Sequence, residues 1–392
     1  MNTLALPPPA ADAESLIENA ASQSYDVLIA GAGPAGALTA VLLARCGARV
    51  LLVDKAAHPR WKVCGCCLNG SALAALDRAG LGDLAARQGA VPLDRFELRA
   101  AGAHAVIRLP GGMALSREAL DWALIAAAVS AGATFVPQAR AVLESPGGEC
   151  HHAALEHGST RAVVSARIAV AADGLAGGFL KNLPQFEPRV ASGARLGAGA
   201  VLDDPSDDFC PGAIYMACAA SGYVGAVRLE DGRLNLAAAI DRGLVGQGSS
   251  LPEAVAAILR SAGAPVPASI AEASWQGTPL LTRHRPLLAA ERVFLIGDAA
   301  GYVEPFSGEG MAWGMQASLV LAPLVCRGLA AWDDRLAAQW AADYARLVGR
   351  RQWICRVLTR LLRGERRTRA AVAVLRRAPW LAAPWIKRIN SP

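Results

Sequence analysis

Tyr25-Asp26-Val27-Leu28-Ile29-Ala30-Gly31-Ala32-Gly33-Pro34-Ala35-Gly36 is the stretch whose reading decides the fold. Residues 25–30 form a short apolar run with strand character, and a Gly-x-Gly-x-x-Gly turn follows at once. Residues 37–46 have the composition of a helix, and Gly47 stops it. Arg49 to Val53 is a second apolar run, closed by Asp54. Strand, glycine turn, helix and strand make a βαβ unit built to cradle a dinucleotide. Gly31 permits the tight turn, Gly33 lets backbone approach a pyrophosphate, and Gly36 lets helix and strand pack closely. The phosphates would rest on free N–H groups at the helix N-terminus. Asp54, 23 residues after Gly31, is placed to accept from ribose hydroxyls, with Lys55 beside it.

Working outward, Ser116 caps a helix that begins near Arg117 and runs to about residue 131. Strand-like stretches at 133–136, 139–144, 150–156 and 162–171 read as a small antiparallel meander. From 183 to 275 the texture changes to short alternating runs, with an Asp231-Gly232 hairpin signal between residues 222–229 and 233–240. Residues 252–262 read as a helix, 292–296 as a buried strand, and 310–326 as a helix rich in small residues. The expected organisation is a flexible leader (1–24) and a nucleotide-binding first part (25–182) with a small substrate-domain insertion near 90–112. A sheet-based substrate domain (183–275), the second nucleotide-binding part (276–335) and a basic helical tail (336–392) follow. The expected fold class is α/β: a Rossmann-like domain interrupted by a β-sheet substrate domain, with C-terminal helices.

Composition bounds the function. The chain has 392 residues, 53% hydrophobic and 18% charged, which supports a large core and excludes a disordered protein. No charge-free apolar run reaches the roughly 18 residues of a spanning helix. The N-terminus has no basic region and carries Asp12, Glu14 and Glu18, so it does not read as a secretory signal. Nine cysteines, an odd number, read as reduced thiols. Charge is uneven: residues 345–392 hold thirteen Arg or Lys and one acid, net +12, so the remainder of this +6 chain carries −6.

Two further motifs follow in order: Ala172-Asp173-Gly174 at the end of an apolar run, and Gly297-Asp298-Ala299-Ala300-Gly301 leading to Pro305-Phe306-Ser307-Gly308-Glu309-Gly310-Met311. Together with the glycine turn they resemble the flavoprotein superfamily typified by para-hydroxybenzoate hydroxylase and geranylgeranyl reductase, over residues 25–335. The resemblance implies that the dinucleotide is FAD. It implies that Asp173 and Asp298 serve the cofactor, and that Gly308, Gly310 and Met311 face the flavin from a helix N-terminus. It implies a cofactor contact for Arg117, joining Gly31, Gly33, Ala35, Gly36, Asp54 and Lys55, with Cys64 and Pro305 near the flavin. One nucleotide fingerprint is present, so NAD(P)H is expected as a transient donor. The superfamily's Ser and Arg after the Asp-Gly motif are absent, as is the halogenase Trp-x-Trp-x-Ile-Pro signature. Pro305–Gly310 and Cys64-Gly65 resemble the geranylgeranyl reductases, but their aromatic substrate motif is missing and Tyr223-Val-Gly-Ala-Val-Arg-Leu229 stands in its place.

The resemblance therefore implies an FAD-dependent oxidoreductase. Its first expectation is a monooxygenase acting through a flavin C4a-hydroperoxide on an apolar aromatic, polyketide or lipid-like substrate. The alternatives are reduction of a carbon–carbon double bond and flavin–dithiol electron transfer. No catalytic residue is assigned; Tyr215 and Tyr223 are candidates for hydrogen-bonding a phenol. Cys64, Cys66 and Cys67 admit three readings: a pocket wall of small soft side chains, a redox thiol pair, or a metal site lacking its further ligands. Cys150, His151, His152 and His157 read as exposed hairpin residues rather than a metal site. The tail, with Trp353, Trp380 and Trp385, either packs on the nucleotide domain or lies on an anionic membrane; nucleic acid is not expected. The location expected is cytoplasmic, with membrane association as the tail's alternative.

Overall fold

Val27 to Ala30 are buried without alternation, as a parallel strand covered on both faces requires. The computed structural model describes residues 12–145, 148–204, 206–246, 248–304, 306 and 308–391. In it, Ser24–Ala30 pairs in parallel with Val50–Val53 on one side and with Thr160–Ala171 on the other. Thr134–Val136 and Val293–Leu295 extend the parallel core outward. Arg140–Ser145, His151–His157 and Thr160–Ala171 form the antiparallel meander, and the last of these runs on into the parallel core. Thr134–Val136 is therefore not part of the meander; it pairs with Val50–Val53 at the far edge. Helix Pro34–Arg45 is buried along most of its length and packs against Gly310–Ala330 and Arg117–Ser130. This is the α/β class read from the sequence.

A second, seven-stranded sheet is drawn from three separate parts of the chain. Its order is Gln276–Leu280, Leu196–Leu202, Leu234–Ile240, Gly222–Arg228, Ala213–Ala219, Arg95–Ala100 and Ala103–Arg108. The Asp231-Gly232 turn joins two antiparallel strands in register Val227↔Asn235. Helix Leu251–Ala262, with a Ser250/Glu253 capping box, covers one face through Ala254, Val255, Ile258 and Leu259. The other face looks onto the nucleotide-binding side of the molecule.

Ala13–Ala21 is a helix, not a loose leader: Ile17 is fully buried, and the helix packs against Thr160–Ala171. Its apolar stripe is short but sits on the sheet, where packing rather than length stabilises a helix. His151 is not an exposed hairpin residue either. It is 2% exposed while its neighbour His152 is exposed, the strand alternation pointing one inward and the other outward. No helix is long and apolar enough to cross a membrane among the described residues.

The tail folds as helices Arg350–Leu362, Glu365–Arg377 and Ala383–Asn390. Glu365–Arg377 lies on strand Ala103–Arg108, burying Val372 completely. The chain end returns to the first domain, where the Asn390 carboxamide oxygen accepts the Gly70 N–H at 2.8 Å.

Candidate functional site

The three glycine-bearing motifs, far apart in sequence, meet at one point. A Cβ on Gly31, whose φ is +106°, would lie 2.2 Å from the Ala172 carbonyl oxygen; one on Gly36 would lie 1.9 Å from the Gly31 oxygen. Only hydrogen fits at either position. Ala35 in turn sits where a Cβ on Gly297 or Gly314 would be 3.0 or 3.1 Å from its methyl. The Ser318 hydroxyl donates to the Ala35 carbonyl at 2.9 Å, binding the two helices together. The N-termini of Pro34–Arg45 and Gly310–Ala330 thus open on one cavity of about 760 Å³. Of the residues expected to serve the cofactor, Gly33, Ala35, Lys55, Arg117, Asp173, Asp298, Gly308, Gly310 and Met311 line it. Gly31 and Gly36 shape the turn behind the wall. Pro305 lies outside the described residues.

Asp54 also stands behind the wall. Its Oδ2 accepts the Ala32 N–H at 2.8 Å and its Oδ1 accepts the Ala56 N–H at 2.9 Å. His58 Nε2 stands 3.6 Å from the same carboxylate. Burial works to raise this carboxyl, but the His58 ring and the two amides outweigh it and hold the group well below the usual range. Asp54 therefore braces the glycine turn, and contact with a ribose is left to its remaining lone pairs.

Arg117 caps the other side of the turn. A Cβ on Gly33 would be 3.4 Å from its Nη2. Its guanidinium donates to both oxygens of Asp121, at 2.8 and 2.6 Å, with the arginine 5% and the aspartate 1% exposed. Burial opposes the charge, but Asp121 raises the guanidinium pKa further. Lys62, which the sequence reading missed, also lines the cavity, and a Cβ on Gly174 would meet its Nζ at 3.3 Å. Burial, and Arg117 nearby, lower its ammonium pKa. Burial raises the carboxyl pKa of both Asp173 and Asp298. Lys55, Arg60, Lys62 and Arg117 thus bring four cations to an end of the cavity that also presents two helix N-termini. That donor set fits a pyrophosphate, and the glycine cradle leaves room for it.

Next to this end lies the cysteine cluster. Cys64 lines the cavity with its sulfur 3.9 Å from that of Met311. The neighbouring Cys66 thiol, with Arg117 nearby, lowers the Cys64 thiol to about 6 despite burial. Burial pushes Cys67 up to about 12. The Cys64 carbonyl accepts from the buried Asn235 amide at 2.9 Å, fastening the cysteine loop to the second sheet. The nine cysteines carry thiols rather than disulfides, and no group of three metal-binding side chains occurs among the described residues.

Beyond the cysteines the cavity wall is apolar. Small residues of the second sheet, Gly197, Gly225, Ala237 and Ala239, form a flat floor bordered by Leu98, Met216 and Tyr223. Leu358, Leu362, Val372 and Leu375 of the tail close the side opposite. Of the two candidate tyrosines, Tyr223 is on the wall, edge-on to Phe306 at 5.3 Å. Tyr215 is not: its hydroxyl accepts the Cys210 N–H at 2.8 Å and its ring stacks edge-on to Phe209. Tyr302 lines the cavity near Asp298 and was not singled out from the sequence. Burial pushes both Tyr223 and Tyr302 well above the ordinary phenol range.

A buried ionic chain supports this wall. Arg195, 1% exposed, bridges Asp241 at 2.9 Å and Glu304 at 3.1 Å, and its guanidinium lies 5.8 Å from the Tyr223 ring centre. Arg363 of the tail reaches Asp241 at 3.7 Å. On the cofactor side Arg351 stands 3.9 Å from Glu309, at the start of helix Gly310–Ala330. The tail is therefore part of the site's construction, a role that neither sequence alternative, packing on the nucleotide domain or lying on a membrane, named.

A family model described as an FAD binding domain matches residues 24–336. A menaquinone reductase of Mycobacterium tuberculosis is 29% identical over 379 residues, covering 86% of this chain and 84% of that protein. Among solved structures, the flavin-dependent brominase Bmp2 superposes with a TM-score of 0.74 at 16% identity over 94% of both chains. The myxobacterial chondrochloren halogenase CndH gives 0.73 at 18% identity, covering 85% of this chain and 82% of that one. The two halogenases share the fold. The chain belongs to the FAD-binding domain family and is a flavoprotein oxidoreductase of the para-hydroxybenzoate hydroxylase-like superfamily.

Proposed function

We propose that this FAD-binding protein is a reductase that delivers a hydride to an apolar substrate of the quinone or isoprenoid kind. One observation carries this reading. Among the described residues, the apolar wall of the cavity formed by the second sheet and the tail has no carboxylate and no imidazole, and its phenol, Tyr223, is held protonated by burial, as is Tyr302 beside Asp298. A phenol hydroxylase that ionises its substrate requires a base there. A reduction requires instead a neutral donor facing developing negative charge, which Tyr223 and Tyr302 supply. The resemblance to a menaquinone reductase supports the same substrate class.

When bound, FAD carries two electrons from a reduced nicotinamide and passes them on as a hydride. The chain's own residues do the rest. The glycine turn, Arg117 and Lys62 hold the pyrophosphate end. The N-terminus of Gly310–Ala330 opens on the cavity, where its dipole would favour negative charge on the reduced cofactor. The flat floor of Gly197, Gly225 and Ala237 admits a planar ring or an unsaturated chain, and Leu362, Val372 and Leu375 exclude water from it. Tyr302 and Tyr223 donate hydrogen bonds to a substrate oxygen.

The test is incubation of the FAD-loaded protein with NADH or NADPH and detergent-solubilised menaquinone, with and without air, followed by mass spectrometry. A product heavier by two hydrogens, formed equally or faster without air, is expected. A product heavier by one oxygen atom, formed only in air, returns the assignment to the monooxygenase that the sequence resemblance placed first.

A further inference from the structure

We propose that the C-terminal helices dock this protein on an anionic lipid surface and set the mouth of the cavity against it. Charge is the first observation. Residues 345–392 carry net +12, and Arg360, Arg366, Arg369, Arg376, Arg377 and Lys387 are exposed.

Exposed apolar surface is the second. Trp353 is 61% exposed, Leu361 48%, Val374 52%, Trp380 70% and Leu381 47%; among the described residues the other large exposed hydrophobics are three scattered valines. Trp353 and Leu361 are eight residues apart on Arg350–Leu362, about 80° apart around the helix and both turned away from its buried Cys355 and Leu362. Tryptophan and leucine ringed by arginine are the composition of an interfacial helix.

Continuity with the cavity is the third observation. Leu361 belongs to the exposed patch and also lines the cavity, as do Arg367 and Trp385 from the other two helices. The rim of the opening and the basic apolar patch are one surface.

These features favour lipid over nucleic acid. A phosphodiester backbone would satisfy the arginines, but exposed Leu361, Val374 and Leu381 would gain nothing from it. A bilayer satisfies both: anionic headgroups take the cations and the acyl boundary takes the side chains. An apolar substrate could then pass between bilayer and cavity without crossing water. That last consequence rests on the reductase reading; the docking does not.

The test uses the FAD-loaded full chain and sedimentation with vesicles of phosphatidylcholine alone or mixed with phosphatidylglycerol, at physiological salt and without substrate. Roughly tenfold stronger binding to the anionic vesicles is expected. Trp353→Ser, Trp380→Ser and Leu381→Ser together should reduce it by roughly tenfold while flavin absorbance and circular dichroism stay unchanged. Val163→Ser, remote on strand Thr160–Ala171, should leave binding unaltered. Absence of binding to the anionic vesicles overturns the proposal. So does binding that the triple variant retains, or a DNA duplex bound as tightly as the vesicles, since charge alone would then be the signal. Because vesicle binding is read without turnover, its failure leaves the reductase assignment untouched, and the reverse also holds.

Discussion

Replacing Asp121 with Asn should destabilise the protein and tighten its hold on FAD. The Arg117 guanidinium has both of its Asp121 bonds below 3 Å and is almost wholly buried. Asparagine keeps the shape but removes the carboxylate charge that pairs a buried cation, which costs about 3–5 kcal/mol. A Coulomb estimate agrees: at roughly 4 Å and an effective dielectric of about 20, a charge pair is worth about 4 kcal/mol. The cofactor-free protein should therefore lose about that much in urea unfolding followed by circular dichroism. Arg117 also lines the cavity beside Gly33, where the pyrophosphate is expected. With FAD bound, its phosphates replace part of the missing carboxylate. By linkage, whatever stability FAD restores must appear as affinity. If the restored part is about 1.4 kcal/mol, titration calorimetry should show FAD binding about tenfold tighter to the variant. A loss below about 1 kcal/mol in the cofactor-free variant, or weaker FAD binding by a variant that remains folded, would refute the reasoning.

Four shorter predictions accompany it. Gly36→Ala forces a methyl against the Gly31 carbonyl and should cost about 3 kcal/mol and most of the bound flavin, whereas Gly33→Ala, with its nearest neighbour at 3.4 Å, should fold with near-parent stability yet also lose flavin, because its methyl fills the room left for the pyrophosphate; urea unfolding of the cofactor-free proteins separates the two, and a yellow Gly33→Ala protein would count against the cradle. In the cofactor-free protein, iodoacetamide alkylation of Cys64 should rise with pH around a midpoint of about 6, while Cys67, pushed up to about 12, stays unmodified near neutrality; a Cys64 midpoint close to that of a free thiol would contradict the assignment. Asp54 has a depressed folded pKa, so its stabilisation is complete above the unfolded value of about 3.9 and is lost as pH falls toward the folded one; Asp54→Asn should flatten the acid limb of a stability–pH curve, and an unchanged limb counts against the bracing role. Gly225→Leu projects from the cavity floor and should lower turnover of the bulkiest substrates roughly tenfold at normal flavin content; unaltered turnover would mean that substrate does not lie on that floor.

Much of the nucleotide-binding half was legible because its signals are local. A strand, a glycine turn and a helix are dictated by neighbouring residues, and Gly31 announces its positive φ directly. The meeting of the Ala172 and Gly297 motifs with the glycine turn was implied only through family resemblance, since no local rule brings residues so far apart together, and Gly314 carried no signal at all. Asp54 was correctly placed at its strand end, but its partners, Ala56 and His58, lie in irregular chain that carries no pattern. Lys62 and Tyr302 were missed for the same reason, although Lys62 is one of only four lysines and precedes the cysteine cluster by two residues. The tail's part in the cavity was hidden by its composition. Its arginines dominate the reading, while Leu358, Leu362, Val372 and Leu375, which face the site, look like the ordinary stripe of any amphipathic helix.

The seven-stranded sheet has a bearing on how the molecule is made. Its strands come from residues 95–108, 196–240 and 276–280, and Arg95–Ala100 pairs in parallel with Ala213–Ala219 more than a hundred residues later. On a ribosome the early hairpin must wait, with one edge unpaired, until the later strands emerge, and such non-local pairing is intrinsically slow. The cavity then stays open on one side until residues 350–377 arrive and Val372 finds its place on that hairpin. A chain halted before residue 350 would present an exposed apolar trough, a target for chaperones and proteases.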